Sequence, residues 1–293
     1  MRNMSNIQTV DSADYHAEKY TLQNCRLWVL LVKDERQEIS PMMREKKSKE
    51  RIENDIKELE ETFHWTFGES VDLEKITIDR MTTKSVLEER LKESAKLIPN
   101  EVGVFLCVFL GFGRSQYILL PKKENKEEME KMDFSDVIKP FNGENCTALV
   151  MKPKLFFVQA ETIDPVKPCS ALFSGNAKEA ELFRIPIHAD IFVNFSSELA
   201  GKDWNQVLIP GEKEGSENVM SRYVKLLCSE VKELTSRVEI QQMVTRINYK
   251  IQKEISELKK KPSSTEDLLP LTTSQLTKSL FLFEASMKNT VPQ

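Results

Sequence analysis

The fold of this chain is decided by the stretch Lys152-Pro-Lys-Leu-Phe-Phe-Val-Gln-Ala-Glu161. Its centre, Leu155 to Val158, is a continuous apolar run, which is typical of a strand buried on both faces of a parallel sheet. Two earlier runs, Arg26 to Val32 and Val102 to Leu110, have the same character. The sequence therefore predicts a central sheet in which Lys154 to Gln159 is one strand.

Amphipathic segments separate these strands. The first has apolar residues at helical spacing of four, three and four, namely Ile52, Ile56, Leu59 and Phe63. Thr83 is a candidate N-cap for a second helix that runs to about Ile98. Two more helices are predicted over 217–235 and 239–258. Alternating strands and helices favour an α/β fold with a central, mostly parallel sheet.

Shorter segments complete the prediction. Weaker strands are expected at Val71 to Ile78, Ala189 to Phe195 and Leu280 to Phe283. The charge run Lys122 to Lys131 is interpreted as a solvated loop or a short helix. Residues 164–183 lack periodicity and hold two prolines, which indicates a linker or a long surface loop.

The composition excludes several classes of function. A net charge of −4 over 293 residues gives no general attraction to nucleic acid or to membrane surfaces. The five cysteines are scattered without a C-x-x-C pair, so they are predicted to be reduced packing residues, with no metal site and no cofactor. The N-terminus has no apolar signal region, and no segment approaches the ~20 apolar residues that span a bilayer. A cytoplasmic location is expected.

Gln159-Ala160-Glu161, at the end of the decisive stretch, resembles the caspase signature Q-A-C-[RQG]-G with glutamate in place of the catalytic cysteine. In caspases the catalytic histidine lies about 50 residues upstream, within Ser-His-Gly. Here that slot falls in Leu110-Gly-Phe-Gly113, so Phe112 replaces the histidine and Gly113 keeps the glycine. The resemblance implies that this chain is not an enzyme, because a carboxylate and a phenyl ring replace the thiolate and the proton-accepting base.

Further segments from Leu27 to Phe283 are similar to the caspase catalytic domain in the same order. They include Cys107-Val-Phe-Leu110, Arg184-Ile-Pro-Ile-His-Ala-Asp190, Gly201-Lys-Asp-Trp204 and Met243-Val-Thr-Arg-Ile-Asn248. The resemblance implies a caspase-like α/β/α sandwich with helices on both faces of the sheet. It divides the chain into a polar N-terminal tail (1–21), a large-subunit-like part (22–163), an intersubunit-like linker (164–183), a small-subunit-like part (184–285) and a C-terminal tail (286–293).

The residues that would bind substrate are also altered. Caspases hold an aspartate side chain with two arginines and a glutamine, which suits bidentate binding of a carboxylate. In this chain the matching positions are Lys49, Asn205 and the retained Gln159, with Trp204 kept on the groove wall. The linker region contains a single aspartate, Asp164, followed by proline. An uncleaved single chain is therefore expected.

Caspases pair their small subunits through an apolar strand that follows a proline. Here that segment is polar, and it reads Leu271, Thr272, Thr273, Ser274 and Gln275. Threonines still favour a strand, but less apolar area is available for burial against an identical partner. A weak or absent homodimer is expected, with these residues binding a different chain.

The resemblance is to non-catalytic members such as the FLIP-type proteins and nematode caspase-like inhibitors. It implies a protein that binds a caspase zymogen, inhibits its autoactivation and so regulates apoptosis negatively. Two alternatives stay open, namely a non-catalytic activator or scaffold for caspases or adaptors, and a degenerate peptidase with residual activity.

Overall fold

The computed structural model describes residues 17–22, 25–36, 46–114, 117–123, 128–161, 189–196, 220–234, 238–258 and 270–282. Eight strands in these ranges form one sheet, with a main path in the order β2-β1-β3-β6-β7-β8. The strands are β1 (Arg26–Asp34), β2 (Val71–Ile78), β3 (Val102–Arg114), β4 (Tyr117–Pro121), β5 (Met129–Asp133), β6 (Lys154–Glu161), β7 (Ile191–Phe195) and β8 (Leu271–Ser274). Five α-helices accompany them: α1 (Lys46–Phe67), α2 (Lys84–Leu97), α3 (Phe134–Ile138), α4 (Arg222–Lys232) and α5 (Ile240–Leu258).

The main sheet is mostly parallel, as predicted. Strands β2, β1, β3, β6 and β7 run in one direction, and β8 pairs antiparallel with β7 at the edge. Their continuous apolar runs are buried on both faces, because helices cover the sheet from both sides. Helices α1, α4 and α5 pack on one face, and α2 and α3 pack on the other. The predicted α/β sandwich is confirmed.

Several boundaries differ from the prediction. Strand β3 continues to Arg114, four residues beyond its predicted end, and β6 continues to Glu161, two residues beyond its predicted end. The helix predicted over 217–235 is observed as Arg222–Lys232, and residues 201–219 lie outside the described ranges.

Two of the sequence predictions were wrong. The charge run is expected to be a loop or a short helix, but its last three residues, 129–131, belong to β5, which forms an antiparallel hairpin with β4. The hairpin forms because it buries Ile118 and Leu120 of β4 and Met132 of β5, while Lys131 and Asp133 on either side of Met132 stay exposed. The strand predicted from Leu280 to Phe283 does not form over its described residues, 280–282. Ser279 forms one isolated bridge to Lys19, while Leu280 is buried in the core.

The segment 17–22 packs against residues 277–279 and against Asp190. The Tyr20 hydroxyl donates to Asp190 Oδ1 at 2.5 Å, and the Thr277 hydroxyl donates to the same oxygen. Asp190, which directly precedes β7, has a φ of +72°, in the left-handed region. The two side-chain donors hold this residue in place. No helix in the described ranges is both long enough and apolar enough to cross a bilayer.

Candidate functional site

The carboxyl ends of the parallel strands form the candidate site, since ligands of open α/β sheets bind at this edge. The β3–β6 register places Phe112 directly opposite Glu161. The two positions identified from sequence therefore lie side by side on neighbouring strands. For Glu161 the structure describes the backbone but not the side chain.

Phe112 fills the edge with an apolar ring. Its side chain is buried, with 4% of the residue's surface exposed. The Arg36 guanidinium lies over the ring, 5.7 Å from its centroid. A phenyl ring with these neighbours cannot accept or return a proton, so no general base exists at this position.

Arg36 forms a buried ion pair with Asp34 at the end of β1. Arg36 Nε donates to Asp34 Oδ1 at 2.8 Å, and Nη2 donates both to Asp34 Oδ2 and to the Leu119 carbonyl of the hairpin. Burial raises the pKa of Asp34, against the opposing effects of Arg36 and of the Phe112 amide. The pair ties β1, β3 and β4 together beside the Phe112 ring. Sequence analysis missed it because nothing local indicates that two charges of a polar stretch become buried.

Gly113 allows the chain to leave β3 for the hairpin. Its φ of +153° is rarely adopted by other residues, and a Cβ atom there would lie 2.2 Å from the Tyr117 carbonyl oxygen. Backbone geometry therefore explains why glycine is kept at position 113, after Phe112, without any role in chemistry at the site.

Gln159 points into the protein at the carboxyl end of β6. It is 3% exposed, and its Nε2 donates to Ser221 Oγ at 2.9 Å. Ser221 in turn donates its amide to Asp55 Oδ1 at 2.7 Å and its hydroxyl to Asp55 Oδ2. The three residues form one buried hydrogen-bonded group, which joins β6 to the helices α1 and α4.

Ser221 was not singled out from sequence. It stands at the N-cap of α4 but makes no side-chain capping bond, because its hydroxyl is directed to Asp55. A serine before a helix was the available signal, and it could not reveal a partner 166 residues away.

The described cysteines lie away from this edge. Cys25 precedes β1 and Cys146 precedes β6, so both are at the amino ends of the strands. Cys107 is buried in β3, roughly 16 Å along the strand from Phe112 at the usual rise per residue. Cys228 is in α4, where burial raises its pKa to about 12. Cys169 lies outside the described residues.

The remaining predicted residues are only partly observed. Lys49 is in the first turn of α1, with its side chain outside the described set, and Trp204 and Asn205 lie outside the described ranges. Of the three histidines, His64 is described. It is exposed near the end of α1, where its Nδ1 lies 2.9 Å from the Glu60 carbonyl oxygen. The segment 164–183 also lies outside those ranges.

The predicted partner-binding residues are at the lateral edge of the sheet, two strands away from β6. Leu271 to Ser274 form β8, which is the terminal strand of the sheet in the described ranges. Leu271 is 42% exposed, and Thr272 and Ser274 are exposed. Gln275 continues the pairing, since its amide donates to the Ile191 carbonyl at 2.7 Å.

Comparison with known proteins identifies the family. The family model of the caspase domain matches residues 42–281. Caspase-7 of Gallus gallus is 26% identical over 202 residues, which cover 67% of this chain and 60% of that protein. Caspase-3 of Mus musculus is 26% identical over 180 residues, which cover 61% of this chain and 59% of that protein. The chain thus spans less than two thirds of the length of these two relatives.

A solved structure shares the fold. The structure of pro-sf-caspase-1 superposes with a TM-score of 0.63 over 92% of this chain and 99% of that chain, at 20% sequence identity. The strand order and the two helical layers are consistent with this shared fold. Because the family model matches residues 42–281, which is most of the sequence, the chain belongs to the caspase family.

Proposed function

We propose that this chain is a catalytically inactive member of the caspase family that binds a caspase zymogen and inhibits its autoactivation, as a negative regulator of apoptosis in the cytoplasm. One observation carries the proposal: Phe112 lies opposite Glu161 at the carboxyl edge of the sheet. These are the positions at which the family resemblance places the base and the nucleophile.

Peptide hydrolysis by a cysteine peptidase needs a thiolate and a group that takes and returns a proton. Glu161 is a poor nucleophile toward an amide, and a carboxylate there disfavours a developing oxyanion. Phe112 carries no proton and is packed under Arg36. No cysteine of the described ranges stands at the carboxyl edge, which supports an inactive site.

Substrate binding is weakened by the same local structure. Gln159 is the one residue of the aspartate-binding set that this chain retains, and its amide nitrogen donates to Ser221 inside the protein. The other two positions hold Lys49 and Asn205, which lack a guanidinium fork. A side-chain carboxylate of a substrate therefore loses the two bidentate partners on which its selection depends.

The two edges of the sheet differ in a way that favours β8 for partner binding. Edge strands are commonly protected from pairing by charged side chains. Strand β2 carries such charges, and they are held in place: Arg26 bonds Asp72 at 2.5 Å, and Lys75 pairs with Glu60 at 2.5 Å. Strand β8 has no charged residue from Leu271 to Ser274.

A strand from a zymogen can add to β8 by main-chain hydrogen bonds, which is a common mode of recognition. The bound zymogen would then lack a competent second protomer on its own pairing edge. Competition for that edge is the proposed mechanism of inhibition. The choice of a caspase zymogen as the partner rests on analogy with the family.

The test follows self-processing of a zymogen from the same organism at increasing ratios of this chain. Slowed processing, with zymogen recovered in a mixed complex, is the expected result. Leu271→Lys should abolish both effects, because it places a charge on the pairing edge. Leu97→Lys is the matched control, since Leu97 is also exposed but lies at the end of α2.

Other results would replace the proposal. Faster processing in a mixed complex would identify an activator. Absence of both an effect and a complex would favour a scaffold for other chains. Hydrolysis of peptide substrates by the purified chain alone would identify a degenerate peptidase.

A further inference from the structure

A buried amide network lies directly behind the exposed strand β8. Asn194 of β7 is fully buried and is the register partner of Thr272. Its Oδ1 accepts from the Tyr223 hydroxyl at 2.6 Å, and its Nδ2 donates to Thr272 Oγ1 at 2.9 Å. Asn248 of α5 donates to the same Thr272 oxygen at 3.1 Å.

This network determines the direction of the Thr272 hydroxyl. A hydroxyl oxygen has two acceptor sites and a single proton to donate. Both acceptor sites of Thr272 are taken by amide N–H groups, from Asn194 and Asn248. The hydroxyl proton has no acceptor among the described residues, and it is left to donate outward from an exposed position.

Ser274 repeats the arrangement two residues further along the same face. Its Oγ accepts from Gln241 Nε2 and from the Leu276 amide, each at 3.4 Å. Strand β8 thus presents two hydroxyl donors on the face covered by α5, both with their acceptor sites in use.

The main chain of the same two residues faces away from β7, toward the edge of the sheet that no other strand of the described ranges covers. The amide of Gln275 bonds to β7, and inward and outward groups alternate along an antiparallel strand. Thr273 therefore points its main-chain groups toward β7, and Thr272 and Ser274 point theirs outward. A strand that adds to β8 meets their main-chain groups and their hydroxyl donors together.

We propose that β8 selects a partner strand bearing hydrogen-bond acceptors, such as Asp, Glu, Asn or Gln, opposite Thr272 and Ser274, and that the same hydroxyls disfavour pairing with a second copy of this chain. The proposal rests on the proposed function, and it states the chemistry of the zymogen strand that fits this edge.

Pairing with a second copy brings donors against donors. A two-fold axis at Thr272, Thr273 or Ser274 places Thr272 opposite Thr272, Thr272 opposite Ser274, or Ser274 opposite Ser274 of the other copy, because residues of one face pair with one another. In each of these registers the facing oxygens already accept two N–H groups, so their protons would be buried without an acceptor. A buried donor without a partner is strongly unfavourable. A wholly apolar partner strand has the same defect.

The experiment introduces a hydrogen-bond acceptor into β8 of one variant and measures how tightly the wild-type chain binds that variant. Thr272→Asp can still accept from Asn194 and Asn248, since a carboxylate offers about four acceptor sites. Its remaining sites can accept from the wild-type hydroxyls. Labelled wild-type chain is titrated with unlabelled wild-type chain, with the Thr272→Asp variant, or with the Thr273→Asp variant, at two salt concentrations.

The wild-type chain should bind Thr272→Asp at least about tenfold more tightly than it binds itself, at both salt concentrations. Thr273→Asp is the control, because it adds the same charge to the same strand on the opposite face, and it should give no gain. Circular dichroism of each variant verifies that the fold is kept. Equal gains for both variants, wild-type self-association as tight as the mixture, or no association in any mixture would each overturn the proposal.

The two proposals fail separately. Loss of zymogen capture with intact pairing to Thr272→Asp would refute the zymogen as partner and leave the chemistry of the edge in place. Zymogen capture without tighter binding of the wild-type chain to Thr272→Asp would refute the role of the hydroxyls but not the zymogen as partner.

Discussion

Replacing Lys154 by methionine should change the pH dependence of stability in a calculable way. Lys154 is 1% exposed at the start of β6, and its Nζ donates to the carbonyl oxygens of Leu149 at 3.1 Å and Lys152 at 2.7 Å. Burial lowers the pKa of Lys154 from 10.5 to about 8, although the negative charge of Asp190 acts in the opposite direction.

Between pH 8 and 10.5 the unfolded chain keeps a proton at Lys154 that the folded chain has lost. The free energy of unfolding therefore rises with pH over this window because of this group, by at most roughly 3 kcal/mol. Part of the rise falls between pH 7 and 9 and amounts to about 1 kcal/mol. Below pH 7 both states are protonated and the contribution is flat.

Urea unfolding of the wild-type chain and of Lys154→Met at pH 7 and pH 9 measures this difference. Cysteine and tyrosine residues also titrate in alkaline solution, but they do so in both proteins and cancel in the comparison. The wild-type chain should gain about 1 kcal/mol relative to Lys154→Met on going to pH 9. Lys92→Met, which removes an exposed lysine of α2, should follow the wild-type chain. Parallel curves for wild type and Lys154→Met would refute a depressed pKa at this site.

Three further results are expected. Tyr20→Phe should lower the free energy of unfolding by about 1–3 kcal/mol in urea titrations, because Asp190 loses a buried donor; an unchanged midpoint would contradict a packed N-terminal segment. Ser221→Ala should destabilise by a similar amount, and Ser221→Thr by less, since threonine keeps a hydroxyl for the bonds to Gln159; equal losses would show that the hydroxyl is not the cause. Cys107 should resist alkylation in the native protein and react after unfolding, because burial raises its pKa and blocks access; mass spectrometry of the modified peptides reads out the rates.

The layered fold could be predicted because its signals are local. The apolar runs that became β1, β3 and β6 are unbroken and bounded by polar residues. The spacing of Ile56, Leu59 and Phe63 likewise fixes the buried face of α1. Such patterns depend on residues a few positions apart, and these are visible in the sequence.

The hydrogen bonds of Ser221 and Asn194 could not be predicted, because they join residues that are distant in sequence. Ser221 and Asp55 are 166 positions apart, and Asn194 and Thr272 are 78 positions apart. Serine, threonine and asparagine are common on surfaces, so nothing in their identity indicates burial or a direction for a proton. The hairpin at Met129 was missed for a related reason: its exposed face is charged and conceals an alternation of only a few buried residues.

The two networks distribute polar groups differently at the candidate site and at the edge strand. At the carboxyl end of β6, the side chains of Gln159 and Ser221 donate to partners inside the protein, so they offer few hydrogen bonds to a substrate. Two residues after Ser221, Tyr223 begins the second network, which passes through Asn194 to the Thr272 oxygen. That network leaves a hydroxyl donor facing outward on β8. A ligand that needs hydrogen-bond donors from the protein therefore finds them at this edge rather than at the carboxyl ends of the strands. This difference supports the proposal that the protein acts by binding another chain.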